Sequence, residues 1–261
     1  MKTKIAITGV RGRMGKMIVD ELARVPDLML AAGFDLEGVG ELIDDVTVTD
    51  AAHLTDTLAT IRPDVLIDFT TASAVVENVR AATDLGINLV VGTTGFSDQD
   101  LDTMKSLIDG RAAAVISPNF SVGVNVFWNI IEVAARALRG YDIEVIEAHH
   151  RGKMDAPSGT AEAAVDILTR AIEIDRDSVV YGREKGTRLR GEEIGVHALR
   201  AGDIVGDHTV LFAGPGERLE IRHQAHSRQA FASGAVRAAR WIVGRPPGIY
   251  SMKDVLIQKK P

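Results

Sequence analysis

The sequence predicts an α/β protein: a doubly wound parallel sheet followed by a mixed α+β domain. Three observations carry this expectation. Short β-rich runs alternate with helical periodicity through residues 1–121, the rhythm that right-handed strand–helix–strand crossovers impose. A glycine-rich turn joins the first strand to the first helix. After Pro118 the alternation stops, and residues 187–225 become β-rich.

The elements follow in order. Ile5-Ala6-Ile7 is the first strand, and the next helix carries Met14, Ile18, Leu22 and Val25 at three- and four-residue spacing. Leu28 to Phe34 is a second strand. The continuous apolar run Val65-Leu66-Ile67 suits a strand covered on both faces. Helices over 72–84 and 98–108 flank the strand Leu89-Val90-Val91, and Ala113 to Ile116 closes the series. A helix from Val122 to Leu138 leads to a strand from Ile143 to Ala148, then to a helix that begins near Ser158. Val210-Leu211-Phe212, Gly214-Pro215-Gly216 and Leu219-Glu220-Ile221 read as a hairpin. A last helix, Gln229 to Val243, is expected to pack back on the first domain. The expected domains are therefore 1–121 with 229–261, and 122–228.

Composition narrows the function. The 261 residues suffice for two modest domains, each with a core. A net charge of −6 argues against a general nucleic-acid binder. The apolar stretches are strand-sized, too short for a membrane span. Met1-Lys2-Thr3-Lys4 runs directly into a strand without a secretory core, which points to the cytoplasm. The chain has no cysteine, so thiolate nucleophiles, disulfides and iron–sulfur clusters are excluded.

The turn Gly9-Val10-Arg11-Gly12-Arg13-Met14-Gly15 has G-x-x-G-x-x-G spacing. In that place glycines permit a tight turn and let a pyrophosphate approach the backbone at the N-terminus of a helix. Asp35 ends the second strand twenty residues past Gly15, where a carboxylate can accept hydrogen bonds from an adenosine ribose. That carboxylate favours NADH, while Arg11, Arg13 and Lys16 could neutralise the extra phosphate of NADPH, so either cofactor is expected. Gly92-Thr93-Thr94 and Ser117-Pro118-Asn119-Phe120 follow parallel strands at their C-terminal ends, the ligand edge of such a sheet. They suit a nicotinamide ribose and carboxamide.

The densest chemistry lies in residues 147–160. His149, His150, Arg151 and Lys153 place four cationic or protonatable groups within five positions of an acidic protein. Pro157-Ser158-Gly159-Thr160 then opens a helix, with Ser158 or Thr160 as cap and free N–H groups facing outward. This is a receptor for an anion, with carboxylates the best match. Like charge around Lys153 would suit it to donate a proton near neutral pH. His149 and His150, adjacent at a strand end, should point to opposite faces and take different roles. Arg228, at the start of the last helix, could clamp a second carboxylate. His208, His223 and His226 lack the carboxylate-rich spacing of a metal site, and no metal is expected.

The segment E-A-H-H-R-x-K-x-D-A-P-S-G-T resembles the signature of the dihydrodipicolinate reductase family. The likeness extends nearly the full length, through Asp68-Phe69-Thr70, Gly92-Thr93-Thr94-Gly95, Asn119 to Asn125, Gly202 to Gly206, Gly234 to Arg237 and Pro247 to Met252. It implies a Rossmann-like first domain, a substrate-binding and oligomerisation domain with an open mixed sheet, and a homotetramer. It further implies hydride transfer from NADH or NADPH to a small cyclic dicarboxylate, forming tetrahydrodipicolinate. By position, His149 and Lys153 match the catalytic pair. His150, Lys153, Ser158, Gly159, Thr160 and Arg228 fall at substrate-binding positions. Gly9 to Met14, Asp35, Gly92 to Thr94 and Ser117 to Phe120 fall at cofactor contacts. Two departures stand out: Pro118 has no N–H to donate, and Leu36 supplies no cation beside Asp35. The competing readings are a related NAD(P)-dependent reductase with another substrate, and a non-catalytic dinucleotide sensor. The latter has no use for His149 and Lys153 together.

Overall fold

The computed structural model describes residues 2–183, 185–186 and 189–256. The chain divides into two compact units, Met1–Val122 with Arg228–Pro261, and Gly123–Ser227.

The first unit opens with β1 (Thr3–Thr8), α1 (Arg13–Leu22), β2 (Leu28–Asp35), β3 (Leu42–Ile43), β4 (Val46–Asp50) and α2 (Leu54–Ile61). It continues with β5 (Val65–Asp68), α3 (Ala72–Thr83), β6 (Asn88–Val91), α4 (Asp98–Ile108) and β7 (Ala113–Ile116). The second unit takes in α5 (Val122–Ala137), β8 (Asp142–His149), α6 (Gly159–Ile172), β9 (Val179–Tyr181), β10 (Ile194–Arg200), β11 (Gly206–Gly214) and β12 (Glu217–Ala225). Then α7 (Gln229–Ile242), β13 (Gly248–Tyr250) and α8 (Met252–Leu256) rejoin the first.

In the first unit eight strands run in the order β13-β7-β6-β5-β1-β2-β4-β3, parallel except for the β3–β4 pair. Side chains alternate between two cores. Ile5, Ile7, Val65 and Ile67 meet Ile18 of α1 and Ala232 and Ala235 of α7. Ala6, Leu66, Leu89 and Val91 meet Leu58 of α2, Val79 of α3 and Met104 of α4. Helices on both faces explain why these strands read as unbroken apolar runs. The sequence reading left residues 36–63 without elements. The structure adds β4 there, from the β-branched run Val46-Thr47-Val48-Thr49, with α2 behind it.

The second unit is a five-stranded mixed sheet, β12-β11-β8-β10-β9, with β8, β10 and β9 parallel and β11 antiparallel to both neighbours. One face packs Ile143, Val145, Val196, Val210 and Phe212 against Phe127 and Ile131 of α5 and Val165 and Leu168 of α6. The β-rich stretch expected from residue 187 becomes strand only at Ile194, and residues 187–188 lie outside the described residues. Strand β8 runs one residue past the expected Ala148, so His149 is its last member.

Candidate functional site

In the first unit the glycine loop is built by close approach. Gly9 has φ +75°, and a Cβ there would lie 2.6 Å from the Phe69 carbonyl oxygen. A Cβ on Gly15 would lie 2.2 Å from the Gly9 oxygen, so only glycine lets α1 start this near β1. No side chain caps α1 at Gly12, and the run Gly12-Arg13-Met14 presents a helix N-terminus beside the loop. Asp35 closes the other side. Its Oδ2 accepts the Arg11 backbone N–H at 2.8 Å, and its Oδ1 accepts that of Leu36 at 2.8 Å. The Arg11 guanidinium reaches Glu41 at 2.7 Å.

The neighbouring loops of this unit are tied to the same edge. Gly92 lies under the Phe69 ring, where a Cβ would meet it at 2.2 Å, and Phe69 tilts against Phe120 with centroids 5.7 Å apart. Thr93 donates to the buried Asp68 at 2.5 Å and accepts the Thr70 N–H at 2.7 Å. Thr8 and Asn78 also donate to Asp68. Ser117 donates to the Asn119 carbonyl, and Asn119 Oδ1 accepts the Ser121 N–H, folding a compact turn around Pro118. The loops holding Gly9 to Met14, Gly92 to Thr94 and Ser117 to Phe120 thus follow β1, β6 and β7 at their C-terminal ends, and Asp35 ends β2. A cradle that excludes Cβ atoms, an uncapped helix start and a carboxylate at a strand end fit a dinucleotide.

In the second unit the chemistry gathers where β8 meets α6. Alternation along β8 puts Glu147 and His149 on its buried face with Ile143 and Val145. Glu147 is fully buried. Its Oε2 receives His149 Nδ1 at 2.6 Å and Arg200 Nη1 at 2.9 Å. Its Oε1 receives Arg200 Nη2 at 2.8 Å and the Ser158 backbone N–H at 3.0 Å. Burial alone would raise the Glu147 pKa; His149, Arg200 and the Ser158 amide override it and hold the carboxyl down at about 2. Arg200 also donates to the carbonyls of Lys153 and Asp155, which shapes the 150–157 loop.

His150 lies just past the strand and accepts, through its carbonyl, the Lys153 N–H. Lys153 Nζ bonds both Asp155 oxygens, at 2.9 and 2.8 Å. The like-charge surroundings expected of this lysine are therefore not what its ammonium meets. Ser158 caps α6 by accepting the Ala161 N–H, and its hydroxyl lies 3.1 Å from His208 Nε2. Gly159 and Thr160 begin the helix behind that cap. His208, across from Glu147 on β11, stacks edge-on to His149 with centroids 5.2 Å apart. Burial, and then the neighbouring His149, push its pKa down to about 3. Arg228 stands at the N-cap of α7, in the first unit by chain partition.

Glu147, Arg200 and His208 were not among the expected site residues. Glu147 had a readable signal: on a strand, residues two apart share a face, and it precedes His149 by two. Arg200 and His208 had none, since only the sheet register brings them to β8. Among the described residues no group of three or more His, Asp or Glu is arranged to hold a metal, and no helix is long and apolar enough to cross a membrane.

Residues 3–120 match the family model for the N-terminus of dihydrodipicolinate reductase, and residues 123–256 match that for its C-terminus. The 4-hydroxy-tetrahydrodipicolinate reductase of Methanococcoides burtonii is 49% identical over 259 residues, covering 96% of this chain and 97% of the relative. That of Methanothermobacter thermautotrophicus is also 49% identical, covering 97% and 98%. Among solved structures, dipicolinate-bound dihydrodipicolinate reductase from Paenisporosarcina sp. TG-14 superposes with a TM-score of 0.79 at 26% identity, over 98% of this chain and all of that one. A meso-diaminopimelate dehydrogenase variant from Clostridium tetani, 15% identical with a TM-score of 0.59 over 100% and 98%, shares the fold. With both units matched in order and half the residues shared with its relatives, the chain belongs to the dihydrodipicolinate reductase family.

Proposed function

We propose that this chain reduces 4-hydroxy-tetrahydrodipicolinate to tetrahydrodipicolinate with NADH or NADPH, in the diaminopimelate route to lysine. The observation that carries the reading is the end of β8: an anchored histidine, a lysine four residues on, and a helix start all within one fourteen-residue segment. The bound nicotinamide supplies a hydride. Gly9 to Met14 and Asp35 hold its adenosine and pyrophosphate end, while Gly92 to Thr94 and Ser117 to Phe120 hold the nicotinamide end.

The substrate is a cyclic dicarboxylate. The N–H groups at Gly159 and Thr160, the Ser158 hydroxyl, His150 and Arg228 are assigned to its carboxylates. Loss of the 4-hydroxyl as water leaves a conjugated imine, and hydride addition to that ring would build negative charge in it. The Lys153 ammonium, exchanging Asp155 for the substrate, stabilises that charge and then gives its proton to the ring carbon. His149 supports the charge and passes protons through Nε2. We further infer a cytoplasmic homotetramer joined through the second unit's sheet, whose outward face carries the exposed Ile146 and Leu199.

The test follows oxidation of NADH and NADPH in parallel with that substrate. Rapid oxidation with either supports the reaction; none with both, where cofactor binding is demonstrable, removes the substrate assignment. In the same assay Lys153→Ala should lower kcat by about 10²–10⁴-fold and leave NADH affinity unchanged. A variant with full turnover would remove lysine from the proton-donor role.

A further inference from the structure

His149 has two ring nitrogens, and the structure treats them differently. Nδ1 faces Glu147 Oε2 at 2.6 Å. Nε2 has no hydrogen-bond partner among the described residues and, unlike Nδ1 of His208 and His223, is not sealed from solvent without one. It lies over Gly206, where even a Cβ would stand 3.0 Å away. The carboxylate opposite Nδ1 is saturated by donors on both oxygens: Arg200 through two parallel N–H groups, and the Ser158 amide. An ionised carboxylate only accepts, so the imidazole must donate to it.

We propose that Glu147, clamped by Arg200, is a positioning residue that keeps a proton on His149 Nδ1 and so reserves Nε2 as the nitrogen that exchanges protons during turnover. This deepens the proposed function and rests on its reading of His149. The same carboxylate has a second effect. Through Arg200 it fixes the carbonyls of Lys153 and Asp155, and through the Ser158 amide it fixes the start of α6. One buried acid therefore sets the register of histidine, lysine loop and helix N-terminus.

The geometry makes Glu147→Gln a tautomer switch. Every group around the side chain except the imidazole is an obligate donor: two guanidinium N–H groups and a backbone N–H. Only His149 can turn from donor to acceptor, by moving its proton from Nδ1 to Nε2. The amide NH₂ should therefore settle opposite Nδ1, and the neutral ring should carry its proton on Nε2.

The experiment is neutron diffraction from deuterium-exchanged crystals of the wild type and Glu147→Gln, with steady-state kinetics of both and of His149→Asn. The expected wild-type map shows deuterium on His149 Nδ1, and the Glu147→Gln map shows it on Nε2 alone. Glu147→Gln should lose at least about 10²-fold in kcat while NADH binding stoichiometry and KM for the dicarboxylate stay within a few-fold. Deuterium on Nε2 but not Nδ1 in the wild type overturns the proposal, a result that needs no variant to fold. Full turnover in Glu147→Gln with the proton moved overturns it as well. Full turnover in His149→Asn instead removes the catalytic reading of the histidine itself, a failure distinct from the other two.

Discussion

Single side chains decide two properties that the family assignment leaves open. The first is cofactor choice. In the proposed cofactor site the Asp35 carboxylate at the end of β2 would repel a 2′-phosphate, and one cation that could offset it, Arg11, is engaged by Glu41 at 2.7 Å. Glu41→Gln releases the guanidinium. Titration by NADPH fluorescence should then show several-fold tighter binding, with NADH unchanged; equal shifts for both cofactors would mean that Arg11 does not read the phosphate. The second property is acid stability. His208 is neutral in the folded protein down to about pH 3 because burial, and then His149, oppose its charging, whereas the unfolded chain takes up that proton near 6.5. The unfolded state thus binds more protons throughout this window, and stability falls as pH drops from 6.5 toward 3. At about 1.4 kcal/mol per pKa unit, the loss reaches about 5 kcal/mol. Glu147 adds to it below 4.5, where its unfolded form protonates first. Urea midpoints measured from pH 7 to 4.5 should decline in the wild type and decline less in His208→Gln, where the half-buried His223, also lowered by burial, still contributes. The opposition of Asp35 and Arg11 was legible in the sequence; the Glu41 partner and the burial of His208 were not. His208 is 61 residues beyond Glu147, and only the antiparallel register of β11 on β8 sets them opposite each other.

Elements were more legible than the contacts between them. The alternation of Ile5-Ala6-Ile7, Val65-Leu66-Ile67 and Leu89-Val90-Val91 with amphipathic helices identified a two-sided sheet, since burial on both faces leaves no polar alternation to mislead. The segment over 36–63 was missed because the edge strand β3 has two residues, β4 beside it five and α2 only eight, too little periodicity to separate from loop. Close approach was also hidden. Gly234 in α7 is an example: a Cβ there would stand 1.7 Å from the Phe120 carbonyl oxygen and 2.7 Å from its carbon. In an isolated helix Gly→Ala gains about 1 kcal/mol. Here the obstacle is backbone, so α7 or the Ser117–Phe120 turn must move, at about 1–3 kcal/mol. The net sign should be destabilising. Gly234→Ala is expected to lower Tm and to weaken NADH binding, because the displaced turn follows β7 at the edge assigned to nicotinamide. A raised Tm would show that helix propensity wins and that the turn yields freely.

At the scale of the whole chain, the first unit is completed by sequence that comes last. Every residue assigned to the cofactor lies before residue 121, yet α7 and α8 supply Ala232, Ala235, Val236, Ile242, Met252 and Val255 to the core beneath β1 and β5, all nearly or fully buried. Strand β13 pairs with β7 at the end of the sheet. A chain ending at Ser227 keeps the glycine loop and Asp35 but exposes the apolar face that α7 covers. Burial of one such side chain contributes about 1.5–3 kcal/mol for the larger ones, and folded domains hold only about 5–15 kcal/mol in total. Losing Val236, Ile242, Met252 and Val255 together removes about 6–12 kcal/mol, a loss of the same size as that margin. The first unit of the truncated chain should therefore not unfold cooperatively, and the chain should not bind NADH, although it retains every proposed cofactor contact. The full chain should gain about 2.7 kcal/mol at an NADH concentration 100 times its Kd, read as a shift in the urea midpoint. If the truncated chain shows the same ligand-dependent shift, the first 122 residues fold without their C-terminal partner, and α7 serves only to join the two units.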